Sequence, residues 1–450
     1  MPHNSFFQQS KRYCLPLLML TLMPLSSVNA EVIGLGVIPG YNGVSRAYGI
    51  SADGTVVVGS SRSEGGDETA FRWTLAEGII SLGGLDGPNF RSRATTVSSD
   101  GLTIFGFSDS ERTNFYEPFR WTEAEGMIAL SSLGGEYFEG YAHDASADGT
   151  VVVGYSQNNI PAEFGAFRWT EAEGMIALSG LEGQVPYENL FYSNAQAISA
   201  DGKVVVGGRL NIINSQQEAF RWTLGEGMVS LGLLQGTNFS EAYGVSADGA
   251  VVVGYSGGWY NFEDREAFRW TMKEGMVGLG HLPGGKGSQA YDVSPDGSII
   301  VGRAGSQPGL HVAFRWAEQT GMQTVEDWLA DYGIGTNGLR LDSALAISEN
   351  GTIVGIATTA EGNSEAFLAR AGGLLFLPDY LSSFKQINNT QLLSQRISRQ
   401  VIPQQPFGTL IHKSKLLAKR RSEQQPVLYA SNTITPEMYI DQGRDLSQDE

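Results

Sequence analysis

The sequence predicts an all-β fold, a seven-bladed β-propeller of four-stranded antiparallel blades, and three observations predict it. Phe-Arg-Trp recurs at Phe71-Arg72-Trp73, Phe119-Arg120-Trp121, Phe167-Arg168-Trp169, Phe220-Arg221-Trp222, Phe268-Arg269-Trp270 and Phe314-Arg315-Trp316, with a decayed seventh copy at Phe367-Leu368-Ala369. The spacings are 48, 48, 53, 48, 46 and 53 residues. A second marker, Ser-x-Asp-Gly, keeps the same beat from Ser51-Ala52-Asp53-Gly54 to a seventh copy, Ser348-Glu349-Asn350-Gly351. Between the markers lie short β-branched runs and glycine turns, with no 3.6-residue period.

Each repeat reads as four strands. In the first copy, Ala47 to Ser51 is a short strand, Ala52-Asp53-Gly54 a tight turn and Thr55 to Gly59 a second strand. After a longer loop, Thr69 to Thr74 makes a third strand, Leu75-Ala76-Glu77-Gly78 turns the chain, and Ile79 to Leu82 makes a fourth. The glycine of each turn supplies the positive φ that tight hairpins need. Four such strands in about 48 residues make one propeller blade. The first strands carry Ala47, Ala94, Ala142, Ala195, Ala242, Ala290 and Ala344, small residues suited to a crowded axis. Period-two alternation puts Phe71 and Trp73 on one face of the third strand and Arg72 on the other, a structural arginine expected to pair with a repeated acid such as Asp53 or Glu77. Two segments compete to complete the seventh blade, Glu31 to Gly36 and Leu374 to Leu377, and the sequence does not choose between them. Val325 to Tyr332 reads as a short helix packed on the ring.

The flanks differ from the repeats. Lys11 and Arg12 precede an apolar stretch from Cys14 to Leu25, and Val28-Asn29-Ala30 has the small residues of a cleavage site, so residues 1–30 read as a secretory signal peptide. The stretch is too short to span a bilayer, and no later segment is long and apolar enough to cross as a helix. Residues 31–371 form the repeat region. Residues 372–450 read as a polar and basic tail, partly helical or disordered, too short for an autotransporter barrel. Cys14 is the chain's one cysteine, which removes thiol chemistry from the exported protein. Residues 31–370 hold 19 basic and 41 acidic residues, a surface that repels nucleic acid.

The runs A-F-R-W-T, E-G-M, the L-G-x-L-x-G pattern near Leu279 to Gly284 and S-A-D-G-x-V-V-V-G resemble the HAF family of bacterial extracellular repeat proteins over about residues 31–370. The resemblance implies export and surface exposure and no reaction, and the chain is expected to be exported, extracellular or at the cell surface or periplasmic. At the histidine that names the family this chain has Thr69, Glu117, Gly165, Glu218, Glu266, Val312 and Glu365.

No catalytic constellation emerges. The histidines His143, His281, His311 and His412 stand singly, so no metal or other cofactor is implied. Gly254-Tyr255-Ser256-Gly257-Gly258 satisfies G-x-S-x-G but occupies a repeat position after Val251-Val252-Val253, without the strand-to-helix setting of a nucleophile elbow. The loops between second and third strands and between blades are long and aromatic, which makes Tyr137, Phe138, Tyr187, Tyr192, Trp259, Tyr260, Phe262 and Asp264 the candidate ligand face. On this reading the chain is a non-enzymatic binding or structural module for a glycan or a cell-surface protein. The alternatives are a carbohydrate-active hydrolase or lyase, with two carboxylates near the axis, and a passenger-like adhesin.

Overall fold

The computed structural model describes residues 30–371, apart from residues 88–90, 114, 131–137, 159–163, 179–192, 212–215, 259–260 and 308. All of these fall in the first of two compact units, Met1–Gln386. The described residues form an all-β propeller of antiparallel four-stranded sheets. Copy 1 has strands Val44–Ile50, Val56–Arg62, Glu68–Thr74 and Gly78–Gly83, paired in that order. The sheets of copies 4 and 5 are joined by one parallel pairing, Gln217 with Phe239.

The Ser-x-Asp-Gly turn is held by its own side chains. Ser51 Oγ donates to Asp53 Oδ1 at 2.7 Å, the Thr55 N–H donates to the same oxygen at 3.0 Å, and the Val56 N–H donates to Ser51 Oγ at 3.0 Å. Gly54 sits at φ +71°, the left-handed region that the turn requires. The second residues of these turns are also chained from copy to copy. The backbone N–H groups of Ala52, Ser99, Ala147, Ala200 and Ala247 donate to the carbonyls of Ser99, Ala147, Ala200, Ala247 and Pro295, and Glu349 N–H donates to Ala52 O at 3.1 Å. Pro295 has no N–H to continue the chain to copy 7.

In the third strand Phe71 is fully buried, Trp73 is buried and Arg72 turns outward. Arg72 pairs with Glu77 at 2.6 Å, and Arg120, Arg168, Arg221 and Arg269 repeat the pair with Glu125, Glu173, Glu226 and Glu274 at 2.7 to 3.0 Å. Asp53, the other acid the sequence offered, is engaged by its turn instead. Thr320 stands at the glutamate position of copy 6, and Arg315 lies 5.4 Å over the ring of Trp328, on the short helix Val325–Ala330.

A repeated serine clamps five of the sheets to a neighbour. Ser240 Oγ accepts the Ala219 N–H at 2.9 Å and donates to Gly232 O at 2.7 Å. Ser45, Ser92, Ser193 and Ser288 accept the N–H of Ala366, Ala70, Ala166 and Ala267 in the same way. Where Pro118 replaces the alanine there is no N–H to satisfy, and Gly140 stands at the serine position. Ser240→Ala is therefore expected to cost about 1–3 kcal/mol, the price of a buried N–H without an acceptor. A lower urea midpoint at unchanged m-value would show it.

The seventh sheet is completed from the other end of the chain. Glu31–Gly34 pairs antiparallel with Ser364–Arg370, from Glu31 opposite Arg370 to Gly34 opposite Phe367. Leu374 to Leu377 lies outside the described residues. Val32 is buried with Trp328, Leu329, Leu341 and Phe367. Each first strand packs against the first strands of its neighbours, and Arg340–Ile347 of copy 7 packs against Val44–Ile50 of copy 1.

Candidate functional site

Residues on either side of the repeated alanine meet across it, as the Tyr243 hydroxyl bonds Glu241 and the Tyr291 hydroxyl bonds Gln289. The alanines are buried, and the flanking residues are where the copies part company. Before the alanine stand Arg46, Arg93, Tyr141, Asn194, Glu241, Gln289 and Ser343; after it stand Tyr48, Thr95, His143, Gln196, Tyr243, Tyr291 and Leu345. Most are polar or aromatic and partly exposed.

These side chains form two networks across neighbouring copies. In copies 1 to 3, Arg93 binds Glu68 through both oxygens, at 2.8 and 3.1 Å, and its guanidinium lies 5.2 Å from the Tyr48 ring and 5.4 Å from Phe107. Phe107 continues edge-on to Tyr116 and Tyr141, at 5.2 and 4.8 Å. Burial alone would raise the Glu68 carboxyl, but the Arg93 charge and hydrogen bonds outweigh it and hold the group below its usual range. In copies 4 to 6, Glu241 accepts from Gln196 Nε2 at 3.0 Å and from the Tyr243 hydroxyl at 3.1 Å. Tyr243 stacks on Tyr255 at 5.7 Å and meets Tyr291 edge-on at 5.8 Å. Burial raises the carboxyl of Glu241, which is 2% exposed.

Two further acids lie deeper on the first strands, each after a register shift that follows the alanine. Asp144 accepts from Thr96 Oγ1 at 3.0 Å and from the Ile198 N–H at 2.9 Å, joining copies 2, 3 and 4. Asp292 accepts from the Val293 N–H at 2.7 Å and the Ile347 N–H at 2.9 Å. Burial pushes Asp144 up to about 6 and Asp292 up to about 7, with the Asp144 charge adding to the second.

The loop candidates fare differently. Tyr137, Tyr187, Tyr192, Trp259 and Tyr260 lie outside the described residues, and the same holds for the side chain of Phe138. Phe262 sits in a short 3-10 turn, Phe262–Asp264, with its ring 4.3 Å from that of His311 and 4.8 Å from the Arg303 guanidinium. Asp264 is exposed and accepts from Asn261 Nδ2 at 3.0 Å. Ser256 is fully buried, donates to Phe239 O at 2.8 Å and accepts the Leu234 N–H at 3.1 Å, a structural hydroxyl on the strand Val251–Gly257. Among the described residues no three His, Cys, Asp or Glu side chains are placed to hold a metal ion, and no helix is long and apolar enough to cross a membrane.

These first-strand residues were absent from the sequence-based site. The signal was available: aligning the seven first strands on their alanines exposes two positions that vary while the turns and third strands repeat.

No protein-family model matches the chain, and no curated protein matches it. Solved structures of similar fold include TolB from Acinetobacter baumannii, 12% identical over 72% of this chain and 65% of that one, TM-score 0.40. The β-propeller domain of the trilobed protease from Pyrococcus furiosus is 14% identical over 74% and 98%, TM-score 0.44. The acylaminoacyl peptidase of Pyrococcus horikoshii is 12% identical over 76% and 54%, TM-score 0.43, so the chain spans about half of it. These likenesses concern the fold. They include no glycan- or surface-protein-binding module, and the described loop aromatic, Phe262, is packed on its own neighbours. The expectation of a glycan or cell-surface protein module, with its carbohydrate-active and adhesin alternatives, is corrected accordingly.

Proposed function

We propose that the chain is an exported seven-bladed β-propeller that binds a polypeptide segment of a partner protein at the axial mouth lined by its first strands. One observation carries this reading: near-identical copies diverge at the two first-strand positions that flank the alanine, where a purely structural repeat would keep one residue. Arginine, tyrosine, amide and glutamate side chains there offer donors, acceptors and flat apolar faces, the mixture that peptide groups and their side chains use. The blade count rests on seven repeat copies, on the Glu349 to Ala52 hydrogen bond and on the packing of the copy 7 first strand against that of copy 1. Export rests on the leader-like residues 1–30, and the mature protein is expected to begin at Glu31 when its N-terminus is sequenced.

The test is a peptide array probed with the exported protein and with Tyr48→Ala, Gln196→Ala and Leu75→Ala, each checked for an intact urea transition. Leu75 is 67% exposed on a turn between third and fourth strands, so its variant serves as the control. Peptides held by the parent are expected to lose about tenfold or more in affinity, about 1.4 kcal/mol, with either axial variant and nothing with Leu75→Ala. Equal binding by all four proteins, or no peptide held by the parent, would refute the axial site.

A further inference from the structure

Copy 6 contains a guanidinium that forms no ion pair with a carboxylate of the described residues. Arg303 is 8% exposed, on the second strand Ile299–Gln307 directly opposite Gln289. Its Nε donates to Gln289 Oε1 at 3.1 Å, and the same oxygen accepts the Tyr291 hydroxyl at 2.9 Å, which fixes the amide. The plane of the guanidinium is covered by Phe262, whose position is fixed in turn: a side chain at Gly287 would strike its ring within 2.6 Å. No carboxylate of the described residues forms an ion pair with Arg303. Asp342, whose charge reaches neighbouring His311, is taken by Arg340 at 2.7 Å and by the Thr358 hydroxyl at 2.5 Å.

This is an unusual arrangement. A charge removed from water is costly unless paired, and the third-strand arginines of copies 1 to 5 have glutamates supplied by the repeat. Here the stem and Nε are anchored by three side chains from two copies, while the terminal pair of nitrogens has no protein acceptor among the described residues. Two parallel N–H groups of a planar guanidinium match the two oxygens of a carboxylate.

We propose that Arg303, seated on Gln289 and Phe262, is an oxyanion subsite that takes a carboxylate of the ligand end-on. The assignment goes beyond the axial peptide reading and does not need it, because any carboxylate-bearing ligand would serve.

The test uses the exported protein, with acetate, inorganic phosphate and chloride titrated at constant ionic strength and thermal unfolding as the readout. Acetate is expected to raise the midpoint relative to chloride in a saturable way, and a larger effect of phosphate would assign the subsite to phosphate-class anions instead. Arg303→Met should abolish the acetate response. Arg303→Lys, which keeps the charge and loses the fork, should weaken the response about tenfold. The proposal is overturned if acetate and chloride give the parent the same midpoint, or if Arg303→Met keeps the acetate response. The parent titration stands without any variant, so a variant that does not fold leaves the question decidable.

Discussion

Val32→Asp is expected to lower stability by about 3–5 kcal/mol, because it places an unpaired carboxylate in a buried core where the two ends of the repeat region meet in one sheet. Val32 is 2% exposed among Trp328, Leu329, Leu341 and Phe367, on the strand that supplies the outer edge of the last sheet from the opposite end of the chain. Losing that strand exposes the edge of Ser364–Arg370 and unseats the helix Val325–Ala330 that packs beside it. A propeller domain of this size has a net stability of order 5–15 kcal/mol, so the loss is a large fraction of the whole. The neighbouring ion pair offers the contrast. Glu31 and Arg370 are 31% and 16% exposed, and Glu31→Gln is expected to cost no more than about 1 kcal/mol. Urea unfolding of the three proteins separates the cases. Equal losses from Val32→Asp and Glu31→Gln would mean that this junction is held by charge and not by burial.

The architecture was legible in the sequence because its determinants are local and repeated. A serine that binds the aspartate two residues on, and a glycine that must take positive φ, recur in six copies, with Asn350 for the aspartate in the seventh. Strand boundaries were less legible: the first strand of copy 1 runs from Val44 to Ile50, three residues earlier than its apolar pattern suggests. Its start is set by pairing with Val56–Arg62 and by the Ser45 clamp to Ala366, a contact across 321 residues that no local pattern reports. The Arg72 partner could not be settled for a similar reason. Both Asp53 and Glu77 recur on the same beat, and only the three-dimensional turn shows that Asp53 is consumed by Ser51 and Thr55. Arg303 is the extreme case, since nothing in Ile299–Gln307 distinguishes a buried guanidinium from a solvated one until Phe262 arrives from the preceding copy. Exposed loop aromatics attract attention in a sequence, whereas alternating polar residues on a strand resemble ordinary solvent-facing positions.

The first-strand acids Asp144 and Asp292 make stability depend on pH in a direction opposite to that of most carboxylates. Asp292 is pushed up to about 7 by burial and by Asp144, so the folded state holds its proton more tightly than the unfolded chain, whose aspartates titrate near 4. Its stabilising contribution is full below about pH 4 and is lost as pH rises through about 7, with a ceiling of roughly 4 kcal/mol at about 1.4 kcal/mol per unit. Asp144, pushed up to about 6, acts in the same direction over a narrower window. The turn carboxylates act oppositely: hydrogen bonds from Ser98, Ser146 and Ser246 hold Asp100, Asp148 and Asp248 below their usual range, and what they contribute is lost in acid. His143, kept neutral by burial, also opposes folding as pH falls. A single pH curve therefore mixes these groups, but a difference between two proteins does not. Asp292→Asn removes one titration and leaves the others in place. An amide has one acceptor oxygen for the two N–H groups of Val293 and Ile347, so the variant is expected to be less stable than the parent by about 1–3 kcal/mol at pH 4.5. That deficit should shrink by about 2–4 kcal/mol by pH 8, closing or reversing, because only the parent then carries the buried charge. Urea midpoints of both proteins from pH 4.5 to 8 provide the measurement. Parallel curves would mean that Asp292 is ionised in the folded state throughout, with water or a cation reaching it along the axis.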